Sequence, residues 1–393
     1  MFDKHEIHEG QSELANRLRI AYVTNSTEGG GAALPIPLLT RVLRDLGAEI
    51  RVFALEKRDS RALPYLIAAG LDPLVRTGGK HDHFAALRWL DAETRAWGAT
   101  HLWTSLSRSA ALGLLIARRR KIPTYCRLMN ALPKTGNRLI LRILQRHARA
   151  WIADSDSTAR VAREVLHVED SRLLVWPTFA ANPHTPIAAA WRPGDPLRLG
   201  SLGRLHPVKG YDVLISALAR LRQAGFHPPV PFTVTIGGDG TERAKLEASL
   251  RSAGVREMLL PGYIDQPQQF LAGLHLYLQP SRSEGMCIAA HEAMAAALPV
   301  LVSAVGELPH SVVPGVTGIT VPPANVVALA EGLHRLLSRP EQLQHMGATA
   351  RLRILERYSE ERFVAAGTAL FNRMVTASAA GHTTSLDRFG PRA

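Results

Sequence analysis

Cysteine is almost missing from this sequence. Only Cys126 and Cys287 occur in 393 residues, and two isolated thiols make neither a disulfide framework nor a Cys-rich metal or redox motif. A reducing compartment is therefore expected. Aromatic residues are sparse too, at 6%, and no aromatic platform interleaves with basic residues as nucleic-acid binding would require. No apolar run approaches the roughly 20 residues of a membrane span; ALGLLIA (111–117) is among the longest. The opening MFDKHEIHEGQSELANRLR has no apolar stretch of signal-peptide length, so a soluble, cytoplasmic protein is expected. No repeat shorter than a domain is visible.

What is present is a folding composition, with 46% apolar and 21% charged residues. The length suits two domains better than one. Basic residues exceed acidic ones by 13. An anionic partner would balance them: nucleic acid, an anionic membrane face or a phosphorylated substrate.

Short apolar runs alternate with amphipathic segments along the whole chain. Strands are expected at 18–24, 48–55, 100–105, 123–129 and 150–155 in the first half, with a further strand at LLVWP. The second half repeats the theme at 197–203, 231–238, 258–263, 275–281 and 299–303. Such alternation predicts two α/β domains with parallel sheets. The segment 177–196 holds five prolines and no periodic apolar pattern, so it reads as the seam. The expected domains are 1–180 and 181–375, with a loose polar tail at 376–393. The last helix before that tail is a candidate to return to the first domain.

In such sheets ligands bind just beyond the carboxyl ends of the strands. After the strand at 197–203, Arg204 and Lys209 flank a turn that opens a helix. Two cations at a helix N-terminus suit a phosphate, although solvated surface cations would look the same. After 231–238, Gly237, Gly238 and Gly240 would let backbone approach a ligand. After 275–281 comes QPSRSEGMCIAAHEAMAAALPV, with Glu284 and Glu292 in an apolar setting. On a continuous helix they would stand about 12 Å apart along the axis, too far to share a proton. An ionised carboxylate can accept two hydroxyl donors, so two acids at fixed spacing could read the two diols of a nucleotide sugar. The run His291-Glu292-Ala293-Met294-Ala295 is no zinc-protease helix, because its fifth position lacks the second histidine.

Taken together, these segments resemble the family 4 glycosyltransferases, which are retaining, nucleotide-sugar-dependent enzymes. The matching stretches are G-R-L-x3-K-G (203–210), G-G-D-G (237–240), P-G-Y (261–263), P-S-x2-E-G-x6-E-A-M-A (280–295), L-P-V (298–300) and G-V-T-G (315–318). They cover about 120 residues of the second half and follow the family order. The resemblance implies an α/β GT-B fold, with two Rossmann-like parallel-sheet domains facing across a cleft. The N-terminal domain would bind the acceptor and the C-terminal domain the donor. It implies that Arg204 and Lys209 bind the donor diphosphate and that Glu284 binds the sugar, the three forming the catalytic set. Glu292 would hold the ribose. Gly203, Gly238, Gly285 and the backbone of Met286, Cys287 and Ile288 would line the donor, and Tyr263 and Ile264 the base. No metal or other cofactor is implied. The partners would be a nucleotide diphosphate sugar and a glycan or lipid-linked glycan, in exopolysaccharide or lipopolysaccharide assembly.

The sequence departs from that pattern at several places. Met286-Cys287 stands where the family often has Phe-Gly, placing bulk where backbone should meet phosphate. Gly306-Glu307 and His310 replace a Gly-Gly pair with a later Glu. Asn130 stands nearest to the place of a family histidine and cannot titrate. Thr178-Phe179 replaces an asparagine-containing signature. In the first half, Gly30 and Gly31 follow the first strand, in a loop that faces the cleft in the family; with Asn130 they are the candidate acceptor-side residues.

NRLILRILQRHARAW (137–151) carries Arg138, Arg142, Arg146 and Arg149 on one stripe, and ARRRK (117–121) adds charge nearby. An anionic membrane surface is one expected partner; a core-packing helix with a solvated cationic face is the other reading. Two further functional readings stand beside the transferase. A glycosidase also uses two carboxylates, about 5–10 Å apart, but has no use for a diphosphate site. A basic nucleic-acid-binding protein fits the charge but lacks a motif.

Overall fold

The computed structural model describes residues 18–29, 33–129 and 135–386. Gly30, Gly31 and Asn130 lie outside the described residues. The chain divides into two compact units. One comprises Met1–Thr178 with Glu361–Ala393, and the other Phe179–Glu360.

The first unit is built on seven strands: β1 (Arg19–Ser26), β2 (Glu49–Glu56), β3 (Leu74–Val75), β4 (His101–Ser105), β5 (Thr124–Leu128), β6 (Ala150–Ala153) and β7 (Leu173–Val175). Their order is β3-β2-β1-β4-β5-β6-β7, and every pairing is parallel. Helices fill the crossovers, as parallel pairing demands. The helix Glu360–Leu386 completes this unit from Glu361 onward. It reaches into the segment read from the sequence as a tail. Trp176 Nε1 donates to the carbonyl of Phe363 at 3.0 Å, and Gly367 lies flat against Trp176 and Val42.

The second unit has six strands: β8 (Leu197–Leu202), β9 (Phe232–Gly237), β10 (Met258–Gly262), β11 (Leu276–Gln279), β12 (Val300–Ser303) and β13 (Gly318–Val321). Their order is β10-β9-β8-β11-β12-β13, again wholly parallel. Both faces of this sheet are buried. Leu199, Val234, Leu276, Leu278 and Leu301 pack on one side against the helices Tyr211–Gln223 and Val326–Leu337. Tyr277, Val300 and Val302 pack on the other, against Ile288–Ala295 and Leu343–Arg357. Double burial is why these strands read as unbroken apolar runs instead of alternating ones. Two strands, β3 and β13, go beyond the runs read from the sequence. The first is only two residues long, and the second is a four-residue edge that begins with glycine.

The order places a switch point in each sheet. The chain leaves β8 toward β9 and β10, then crosses back to lay β11 on the other side of β8. The two outgoing loops diverge there and leave a crevice at the carboxyl ends of β8 and β11.

Candidate active site

Four loops of the second unit meet at this crevice. The amide of Gly203 donates to the carbonyl of Gly237 at 2.9 Å, and that of Gly238 to Gly262 at 2.7 Å. These bonds draw the loops after β8, β9 and β10 side by side. Gly238 has φ +144°, and a Cβ there would lie 2.0 Å from the carbonyl oxygen of Gly203. Only glycine permits that approach. Gly203 is equally confined, since a Cβ would stand 2.8 Å from the Tyr211 hydroxyl.

The loop after β11 is tied to the loop after β8. Arg282 donates through its amide to the carbonyl of Val208 at 2.7 Å. Its guanidinium grips Asp212 with two bonds of 2.7 and 2.6 Å, the planar fork-to-carboxylate geometry that fixes orientation as well as distance. Gly210, at φ +67°, sits so close to Pro280 that a Cβ would be 2.1 Å from its carbonyl oxygen. The structure thus brings Gly203, Arg204, Lys209, Gly238, Glu284 and Gly285 to one end of one sheet. Arg204 is exposed there. Tyr263 is half exposed at the rim, and Ile264 covers Gly237.

Lys209 and Glu284 form an ion pair, Nζ to Oε1 at 2.7 Å. The same oxygen accepts from Ser281 Oγ at 2.6 Å and Gln279 Nε2 at 3.0 Å. Gln279 is oriented in turn by the Tyr277 hydroxyl, which donates to its Oε1 at 2.9 Å. Burial pulls the Lys209 ammonium down, but the Glu284 carboxylate outweighs it and holds the group above the ordinary lysine range. The lysine is therefore charged at neutral pH. The diphosphate-type cation and the sugar-type acid expected from the resemblance are bonded to one another in this structure. Ser281, Gln279 and Tyr277 were not singled out in the sequence. Their signal was a polar pair, Gln279 and Ser281, inside the run HLYLQPS, where a wholly apolar strand end would be cheaper to bury.

Glu284 lies in the loop, and the helix Ile288–Ala295 starts four residues later. Glu292 stands one turn into that helix. Gly285, Met286 and Cys287 are consumed in the turn, where Cys287 takes φ +59°. Glu292 is half-buried, and burial pushes its carboxyl up to about 7. Among the described residues its carboxyl makes no hydrogen bond or ion pair. Met286 and Cys287 are buried. Burial, with Glu284 beside it, pushes the Cys287 thiol well above its ordinary range, so it is a neutral S–H. Among the described residues, no group of three or more His, Cys, Asp or Glu could hold a metal ion.

Fold and site define a class: the architecture is GT-B, a pair of Rossmann-like parallel-sheet units. Within it, residues 188–353 match the family model of glycosyl transferases group 1. The chain is 34% identical over 183 residues to a glycogen synthase of Mycobacterium tuberculosis, which covers 46% of this chain and 41% of that protein. It therefore spans about two fifths of that relative's length. It is 26% identical over 290 residues to the lipopolysaccharide core biosynthesis mannosyltransferase LpcC of Rhizobium leguminosarum, covering 72% of this chain and 79% of the relative. Among solved structures, the sucrose-phosphate synthase of Thermosynechococcus elongatus superposes with a TM-score of 0.76 at 20% identity, over 92% of this chain and all of that one. HepE of Anabaena, in complex with UDP and glucose, gives 0.75 at 18%, over 91% and 99%.

Proposed function

We propose that the protein is a retaining glycosyltransferase that moves a hexosyl unit from a nucleotide diphosphate sugar to a glycan or lipid-linked glycan. The observation that carries this reading is the Lys209–Glu284 pair at the β8/β11 crevice, beside Arg204 and a helix N-terminus. Breaking a glycosyl–phosphate bond leaves negative charge on the diphosphate and positive charge on the sugar carbon. Fixed cations stabilise the leaving group without reorganising when the bond breaks. A diphosphate entering the crevice would compete with Glu284 for Lys209 and release the carboxylate toward the sugar hydroxyls. The charge carried by Arg204 and Lys209 makes a metal unnecessary in this scheme. Glu292 accepts the ribose hydroxyls, and Tyr263 and Ile264 flank the base. Relatives such as the mannosyltransferase support a place in lipopolysaccharide or exopolysaccharide assembly.

The test is Lys209→Ala, assayed for transfer and donor hydrolysis across UDP, GDP and ADP sugars. Removing one such contact costs about 3–4 kcal/mol of transition-state stabilisation, so kcat should fall by about two to three orders of magnitude. Near-normal turnover with an intact fold would overturn the assignment.

A separate observation supports a membrane-side location, with the acceptor presented from an anionic lipid surface. The core-packing reading of the helix Thr135–Leu144 requires its apolar side chains to pack into the core. Only Leu141 and Leu144 do so. Leu139, Ile140 and Ile143 are 63%, 48% and 57% exposed, and Trp151 belongs to β6. Around the helix these three side chains span about 100° beside Arg138 and Arg142. Burial, and after it the charges of Arg146, Arg118 and Lys121, hold the His147 imidazole below its ordinary range. Aliphatic side chains flanked by fixed cations match the boundary between headgroups and acyl chains. No helix among the described residues is long and apolar enough to cross a membrane. Sedimentation with vesicles containing anionic phospholipid should show binding that falls with salt and is lost in Leu139→Ser/Ile143→Ser. Equal sedimentation with neutral vesicles, or self-association through this face, would overturn it.

A further inference from the structure

The helix that presents Glu292 opens on a strained residue. Cys287 has φ +59° and ψ +61°, the left-handed conformation, without being glycine. Such a residue is strained and persists only where its surroundings over-determine it. What holds it is visible in the hydrogen bonds of its carbonyl. The Cys287 oxygen accepts from the amide of Ala290 at 3.1 Å, from that of His291 at 3.4 Å, and lies 3.0 Å from His291 Nδ1.

His291 is fully buried. Burial pulls its imidazole down to about 4, so it is neutral at pH 7 and carries one N–H. A carbonyl can only accept, so that proton is on Nδ1 and points at Cys287. Nε2 is then the acceptor, and its partner is the Ser311 hydroxyl at 2.7 Å. With the Ser311 proton given to Nε2, the single Tyr358 proton is shared between two acceptors, Ser311 Oγ at 3.1 Å and Glu307 Oε1 at 3.2 Å. Arg357 closes the chain on Glu307 at 2.7 Å. The ring itself is wedged between Phe179 and Tyr358, with centroids at 5.5 and 5.1 Å. A second tie reaches the same loop, since the amide of Glu307 donates to the carbonyl of Gly285 at 2.9 Å.

We propose that His291 is a positioning residue: its Nδ1–H, braced by Ser311, Tyr358 and Glu307, locks Cys287 in the left-handed turn that aims the 284–288 backbone and Glu284 at the donor. His291 touches no reacting atom. Released from this bond, Cys287 relaxes toward negative φ and rotates the peptide that joins the Glu284 loop to the helix. Part of the histidine's task is thus to compensate for a side chain at a position that glycine would fill without strain. Cys287 and His291 are energetically coupled.

This inference rests on the donor-site reading, and the experiment separates the two. UDP, GDP and ADP are titrated calorimetrically against the unaltered protein, and the tightest serves as probe. Binding of none of them would sink the donor site itself. Four proteins are then compared: wild type, His291→Phe, Cys287→Gly and the double variant. His291→Phe should weaken probe binding about ten-fold, the scale of one lost buried hydrogen bond. On the Cys287→Gly background, where the turn needs no clamp, the same change should cost less than about two-fold. Equal losses on both backgrounds would mean that His291 is only packing and would overturn the proposal. Should His291→Phe fail to fold, His291→Asn decides: its amide N–H can replace Nδ1–H, so binding within about three-fold of wild type supports the clamp, and a ten-fold loss refutes it.

Discussion

Glu292 is the residue whose environment most directly sets a measurable behaviour. Its ordinary value of 4.5 is raised by burial to about 7. The native protein therefore keeps a proton that the unfolded chain has released between those two values. Stability from this group is complete below pH 4.5 and is lost as pH rises through 7. Under the proposed ribose contact donor binding should run the opposite way, because ribose hydroxyls donate more strongly to an ionised carboxylate than to the acid, which keeps only part of its acceptor capacity. UDP binding at pH 6 should release a proton, seen as a binding heat that depends on the ionisation enthalpy of the buffer. Glu292→Gln should reduce that dependence to the part contributed by the terminal phosphate of UDP, whose second pKa is about 6, and weaken binding. A buffer-independent heat in the unaltered protein would remove Glu292 from the ribose contact.

At the scale of elements, the strands were legible wherever burial on both faces produced an apolar run. The cation turn and the two acids were legible because they follow strands. What could not be read was which groups bond to which. Lys209 and Glu284 are 75 positions apart, and only the crossing from β10 back to β11 makes them neighbours. The exposed side of Thr135–Leu144 was hidden for a similar reason: periodicity locates an apolar stripe, but not what covers it. Gly210 looks in sequence like any glycine before a helix. In the fold it is the point where the loops after β8 and β11 touch. Gly210→Ala meets both a positive φ and a backbone oxygen, which should cost about 1–3 kcal/mol. Chemical denaturation should reveal that loss, and weakened UDP binding should accompany it. A variant as stable as the parent would mean that the contact between the loops is looser than described.

Across the whole molecule, the two units can be followed by different signals. Of the six tryptophans, Trp89, Trp97, Trp103, Trp151 and Trp176 belong to the first unit and Trp191 to the second. Intrinsic fluorescence therefore reports mainly on the first. Gly367 packs against Trp176 and Val42, where a Cβ would approach to 2.6 and 2.8 Å. Gly367→Val should overpack this contact, at a cost of about 1–3 kcal/mol, and lower the temperature of the fluorescence transition. UDP affinity, which the proposed donor site assigns to the second unit, should stay within about two-fold. A joint loss of both would show that the two units do not respond separately.

The return of the helix Glu360–Leu386 to the first unit also bears on synthesis. Domains commonly fold in the order in which the ribosome releases them. Here the first unit is begun first and finished last, because Phe363 and Gly367, which cover Trp176, are translated only after all six strands of the second sheet. The second unit can close while the first is still missing a wall. A nascent chain that has emerged from the ribosome as far as Glu360 would thus carry a complete second unit beside an open first unit with Trp176 uncovered, a state exposed to aggregation and to chaperones.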